Sequence, residues 1–173
     1  MAGVHVDLAP CVDTVTIDRA SNAPVGALDR DYGLDAAGNA QHAAAFVEGL
    51  RAAGVGAAAK HFPGLGAVTG NTDFTTDGIV DTTTTRNGPE VQAFAQAIRA
   101  ADPGMVMISL ATYTAIDPDE PAAFSPTVID GMLRGDIGYG GVVISDSLSA
   151  SAVSAIAPAE LGVRLVQAGG DLA

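Results

Sequence analysis

Short apolar runs alternating with helix-period segments constrain this chain more than any other feature. Val4–Leu8 ("VHVDL"), Val55–Lys60 ("VGAAAK"), Met105–Ser109 ("MVMIS") and Gly141–Asp146 ("GVVISD") read as strands. A strand that is apolar at nearly every position is buried on both faces, as in a parallel sheet. The segments between them have helix signals. Asp35 is placed to cap a helix that Gly54 stops, with Phe46, Val47 and Leu50 on one face. Pro89 opens a second helix whose Val91, Phe94, Ala95 and Ile98 face inward. Ser125 caps a third with Pro126 in its first turn, and "PAELGVRLVQAGG" forms a fourth. Strand–helix alternation of this kind implies an α/β fold, a parallel sheet with helices on its faces.

Counting a strand that starts at Gly170, five strand units are visible. A closed (β/α)8 barrel needs eight and roughly 250 residues. The chain therefore reads as a single domain, residues 1–173, that is either an open sheet or part of a barrel. In both cases chemistry gathers at the carboxyl ends of the strands. Those ends carry Asp13, Lys60 with His61, Ser109 and Asp146. No GxGxxG follows the first strand, so a phosphate-cradling loop is not supported.

Charge narrows the partners. Twenty acidic residues against eight basic ones give a formal net charge of −12. Nucleic acids and anionic membranes call for a basic patch, so a neutral or cationic small ligand fits better. A single cysteine, Cys11, excludes an intramolecular disulfide and a cysteine-based zinc site. No His/Asp/Glu grouping has metal-ligand spacing, and no apolar run reaches the roughly 18 residues of a membrane span. The N-terminal "MAGVHVDLAP" lacks the pattern of a signal peptide. The expectation is a cytoplasmic protein, or an exported one if a longer N-terminus carries the signal.

Each candidate residue has an ordinary reading beside a chemical one. Asp146 after a strand could be a helix cap, or a carboxylate able to attack an anomeric carbon. Lys60 could be a surface charge and His61 a core histidine. The "FPG" that follows them builds a stiff turn, more than a surface needs, and both side chains can bond hydroxyls. Strict strand alternation would send Lys60 and His61 to opposite faces, so a bulge or turn is needed for both to serve one site. Arg30, between Asp29 and Asp31, could belong to a surface ion-pair cluster or reach a sugar hydroxyl or carboxylate. Asp73 and Asp77 lie in a long Thr/Asp/Asn-rich loop that runs to about Gly88. Loops of that length in compact domains are usually functional or disordered. They are solvated acids, or one of them donates a proton when the loop closes over a ligand. His5 and His42 read as structural.

Together these motifs resemble glycoside hydrolase family 3, most closely its β-N-acetylhexosaminidase branch. "KHFPGLG" is similar to the family's KHFPGHG signature, and "DLAPCVD" to the strand end before it. "DRDYG" resembles the GRSFG-type segment, the stretch ending "VVISDSLS" resembles that around the SDDLSM motif, and "AGGD" the AGxD strand. The matches follow the family order and span essentially the whole chain. The resemblance implies the C-terminal part, about five β/α units, of a (β/α)8 barrel, with strands four to eight present. Unpaired edges and an open apolar interior would then favour self-association.

By the same resemblance Asp146 is the nucleophile of a retaining exo-glycosidase, and Arg30, Lys60 and His61 bind the sugar. The substrate would be a β-linked N-acetylglucosamine or related β-glycoside, with no metal or organic cofactor. Three departures stand out. The branch keeps its acid/base histidine in a D-x-H element, where this chain has Asn71, Thr72 and Asp73. Leu65 replaces the second histidine of the signature, and Ser147 the second aspartate of SDDLSM. Asp73 is then the candidate acid/base. The competing expectations are a carbohydrate-binding pseudo-enzyme without a proton donor and an inactive barrel fragment.

Overall fold

The computed structural model describes residues 3–77 and 79–173. Its elements, in chain order, are β1 (Val6–Asp7), α1 (Ala36–Ala52), β2 (Gly56–Phe62), β3 (Val80–Asp81), α2 (Pro89–Ala101), β4 (Met105–Ile108), β5 (Thr112–Tyr113), β6 (Asp117–Pro121), β7 (Val142–Ser145) and α3 (Pro158–Gln167). A π-helical segment, Thr127–Asp136, and four short 3₁₀ turns complete the list.

Strands β1, β2, β4 and β7 form one sheet in that order, every pair parallel. A bridge from Ile144 to Leu172 starts a further parallel neighbour beyond β7. The apolar runs thus fold as the sequence indicates, though pairing in the first is confined to Val6–Asp7. Among the described residues the sheet does not close into a barrel. A small second sheet, β3–β5–β6, grows out of the long loop and the segment after β4. Asp81 anchors that loop: its carboxylate accepts from Thr83 N at 2.7 Å, Thr84 N at 2.9 Å and the Thr84 hydroxyl at 2.6 Å.

Alternate strand residues point to opposite faces. Ala57, Ala59, Val106, Ile108 and Val143 join core clusters that contain helix residues. Ala58, Met107 and Ile144, with Met105 beside them, form a separate cluster without any. The helices therefore gather on one face of the sheet. Phe62 from β2 meets Phe94 from α2 edge-on, ring centroids 5.4 Å apart, a pairing worth about 1 kcal/mol beyond area burial.

Helix α1 starts where expected, with Asp35 accepting from Gly38 N at 2.8 Å. Its inner face is built from small side chains, Ala40, Ala43, Ala44 and Val47, which let it pack closely against α2. Phe46 falls to the edge of that stripe and is exposed, contrary to the expected inward face. Val91, Phe94, Ala95 and Ile98 of α2 are all buried, as expected. The Ser125 hydroxyl accepts from Val128 N, so the third helix is capped as expected. Its turns are nevertheless π-wound, with Ile137 N bonded five residues back to Met132 O. The wider turn of a π-helix keeps pairs four apart, Val128/Met132 and Ile129/Leu133, on one buried face. Among the described residues no helix is long and apolar enough to cross a membrane.

Candidate active site

Of the polar residues foreseen at the strand ends, Asp13, His61 and Asp146 come together, with the His61 ring between the two acids. The chain continues the β1 direction through Cys11, which bridges to Lys60, and Val12 N donates to Lys60 O at 2.7 Å. That pairing delivers the Asp13 carboxylate, fully buried, against the end of β2. It accepts from His61 Nδ1 at 2.7 Å, Leu65 N at 2.7 Å, His61 N at 3.2 Å and the Cys11 thiol at 2.9 Å. Burial alone would push this carboxyl up. Attraction to the His61 ring and the hydrogen bonds from His61, Cys11 and Leu65 outweigh burial and hold it below the usual carboxylate range. The neighbouring Cys11 thiol is pushed far up, first by burial and then by the Asp13 charge, which makes it an inert donor.

Those contacts have a pH consequence. A carboxyl depressed by folding adds stability that is fully present above its unfolded value, near 3.8, and is lost as pH falls through the folded one. Thermal melts should show this group's contribution unchanged from neutrality down to about pH 4 and falling below it. Asp13→Ala should flatten the dependence in that acid window.

The register of β2 against β4 shifts between Ala59 and Phe62, the irregularity needed at the Lys60–His61 pair. His61 is buried and Lys60 half-buried. His61 Nε2 lies 3.3 Å from Arg30 NH2 and 3.9 Å from Asp146 Oδ2. Arg30 is held in turn by its NH1, which donates to Pro24 O at 2.7 Å. Its neighbours Asp29 and Asp31 pair instead with Arg19, leaving Arg30 turned toward His61. Asp146, one residue past β7, is fixed by its backbone N donating to Ile108 O at 2.9 Å and by Ser147 N donating to its Oδ1 at 2.8 Å. Its side chain is 20% exposed, so Oδ2 can meet a ligand.

Asp73 behaves differently. It is exposed on a turn in which its backbone N donates to Asn71 Oδ1 at 3.0 Å. The turn leans on the segment after Asp146, with Ser151 N donating to Asp73 O and Ala152 N to Thr72 O. The loop is thereby tied to the site while the Asp73 carboxylate stays in solvent. Asp77 is likewise exposed. Ser109, named only as a strand-end residue, is fully buried, its hydroxyl accepting from Ala111 N at 2.9 Å and lying 3.0 Å from the Tyr113 hydroxyl. It braces rather than faces the site.

Two asparagines that the sequence did not single out complete the scaffold. Buried Asn22 donates to Leu65 O and Val68 O, both at 2.8 Å, and accepts from Gly26 N at 2.7 Å. It ties the Arg30 loop to the turn after His61. Buried Asn39 donates to Asp13 O at 3.0 Å and joins α1 to the end of the first strand. The Tyr113 hydroxyl closes the ring by donating to Gly64 O at 2.7 Å. The signal for these residues was weak, since a lone Asn beside Pro and Gly, or inside a helix, ordinarily reads as surface. Cys11, Asp13 and His61 also bring three ligand-type atoms within 4.8 Å of one another. Their hydrogen bonds are directed at each other and at backbone N–H groups, which is a positioning network.

Acid, imidazole and guanidinium converging at the C-terminal ends of parallel strands define a polar small-ligand site on an α/β scaffold. The chain matches the Glycosyl hydrolase family 3 N terminal domain over residues 1–173, and it belongs to that family. It is 36% identical to a beta-hexosaminidase of Xylella fastidiosa over 155 residues, 90% of this chain and 44% of that protein. It is 33% identical to beta-hexosaminidase LpqI of Mycobacterium tuberculosis over 181 residues, 99% of this chain and 44% of that one. Among solved structures, a beta-N-acetylhexosaminidase from Beutenbergia cavernae superposes with a TM-score of 0.94 at 46% identity, covering 98% of this chain and 51% of the other. A family 3 beta-N-acetylglucosaminidase from Paenibacillus gives 0.82 at 31% identity, covering 98% of this chain and 32% of the other. The chain spans less than half the length of these curated relatives.

Proposed function

We propose that this chain forms about five of the eight β/α units of a (β/α)8 barrel. In this reading it carries the catalytic face of a retaining exo-glycosidase acting on β-linked N-acetylglucosamine or a related β-glycoside. The observation that carries the reading is the grouping of Asp146 Oδ2, His61 Nε2 and Arg30 around one accessible point at the strand ends. Helices on one face only, and the naming of the relatives as hexosaminidases, support it.

Asp146 Oδ2 attacks the anomeric carbon, the glycosidic C–O bond breaks, and a glycosyl ester forms. Water then attacks the same carbon, passing its proton to the group that protonated the leaving alcohol, and the ester bond breaks to return the Asp146 carboxylate. Arg30, Lys60 and His61 hold the sugar so that the attacking oxygen is in line, the positioning contribution to such a reaction. The leaving alcohol needs a proton, and Asp73 is the candidate to give it. Its carboxyl is exposed, without the apolar surroundings that carboxyl acid catalysts ordinarily have. The solvent position of Asp73 thus favours a second reading, a carbohydrate-binding pseudo-enzyme that keeps the sugar contacts and lacks the proton donor.

Leaving-group dependence separates the two. Weak acid help predicts that 4-nitrophenyl N-acetyl-β-glucosaminide is hydrolysed while an alkyl glycoside of the same sugar is slower by more than the usual 10²–10⁴ of acid catalysis. Sugar binding in a calorimeter without release of nitrophenol establishes the pseudo-enzyme. Neither binding nor release sinks both readings.

A further inference from the structure

We propose that Asp13 is a positioning residue that holds the His61 imidazole as a hydrogen-bond acceptor toward the site. His61 then recognises a substrate hydroxyl by accepting its proton instead of donating one. The proposal rests on the carbohydrate reading above for the identity of the ligand, not for the state of the ring.

The ring's two nitrogens face partners of opposite character. Nδ1 lies 2.7 Å from Asp13 Oδ2, and an ionised carboxylate only accepts, so Nδ1 carries the hydrogen. Nε2 lies 3.3 Å from Arg30 NH2, and a guanidinium only donates, so Nε2 presents its lone pair. Asp13 cannot rotate to relax this arrangement. Its Oδ1 is held by Leu65 N at 2.7 Å and its Oδ2 also takes the Cys11 thiol at 2.9 Å, all without solvent access.

The consequence reaches Asp146. Its Oδ2 is 3.9 Å from Nε2, beyond hydrogen-bond distance, as befits two acceptors. An Nε2–H tautomer would bond this oxygen and blunt it as a nucleophile. The tautomer fixed by Asp13 leaves Asp146 Oδ2 without a bond from the ring and sets two acceptors side by side, an arrangement that calls for a donor. Arg30 fills that role at Nε2 in this structure, and a sugar hydroxyl fits the same lone pair.

The direct test is long-range ¹H–¹⁵N NMR of the histidine rings at neutral pH. The expected wild-type spectrum shows His61 with a protonated Nδ1 and a bare Nε2; a protonated Nε2 in the neutral ring overturns the proposal. In Asp13→Asn the amide oxygen is expected to stay on Leu65 N–H, a backbone donor that cannot change its role, so the NH₂ faces the ring, the ring switches to the Nε2–H form and sugar affinity falls about tenfold or more. A cooperatively melting Asp13→Asn protein whose His61 keeps the wild-type tautomer also overturns it.

Should that variant not fold, a ligand series on the wild type decides. Fluorine accepts hydrogen bonds but cannot donate. At the hydroxyl read by His61, a fluoro sugar should then bind as poorly as the deoxy sugar. If fluorine restores affinity at every position, His61 is not the acceptor proposed. Absence of all sugar binding removes the carbohydrate reading, while the tautomer remains an independent result.

Discussion

Replacing Asp146 by alanine is expected to lower turnover of an activated aryl β-glycoside by about 10⁴-fold or more, the scale on which a covalent nucleophile is lost. An activated substrate is the informative choice because nitrophenolate leaves with little protonation, so a weak proton donor does not mask the effect. Fold and binding should survive. Asp146 lies beyond the last residue of β7, its side chain is partly exposed, and the bonds that fix the strand end are made by its backbone. The prediction is therefore a fall in kcat with a small change in sugar affinity. In the wild type, a slow 2-fluoro glycosyl donor should leave an adduct on Asp146 visible by mass spectrometry. Equal rates for the two proteins, or an adduct on another residue, would remove Asp146 from the nucleophile's role. Asp73→Asn should behave differently. If Asp73 works as the acid, that change slows poor leaving groups and spares the nitrophenyl substrate.

The parts of this molecule that were legible in the sequence are those governed by local periodicity. Uninterrupted runs such as Met105–Ile108 could only be interior strands, and Asp35 and Ser125 cap where their side chains make caps. The strand-end placement of Asp13, Lys60, His61 and Asp146 followed from the same pattern. What remained hidden depends on distant chain segments. Phe46 looked like an inward residue because apolar spacing alone carries no information on how closely alanines let two helices approach. Asn22 bonds residues 43 and 46 positions away, a pairing no local rule can anticipate. The hub role of Asp13 was invisible for the same reason, since its donors come from another strand and from the turn beyond it. The long loop was expected to carry function or disorder, and Asp81 gives it order through a local set of threonines.

Gly66→Ala tests that long-range construction with a single carbon atom. A Cβ at residue 66 would lie 1.7 Å from Thr14 O and 2.4 Å from Thr14 C, so the two backbones must separate. Neither can yield cheaply. Thr16 N donates to Gly66 O at 3.1 Å, Leu65 N donates to Asp13, and Asn22 grips Leu65 O and Val68 O on either side. Pushing the turn outward breaks several of these buried bonds together, and the expected loss is about 3 kcal/mol or more, at the upper end for overpacking. For a domain of this size that corresponds to a fall in Tm of roughly 6–12 °C. Gly49→Ala is the matching control. It sits exposed in α1 with nothing within 4 Å of its Cβ position, and alanine there should add about 0.5–1 kcal/mol. The pair distinguishes a glycine required by close approach from one that only weakens a helix. If Gly66→Ala melts with the wild type and binds sugar equally well, the turn after His61 is not the rigid brace described. The site would then owe its geometry to the strand ends alone.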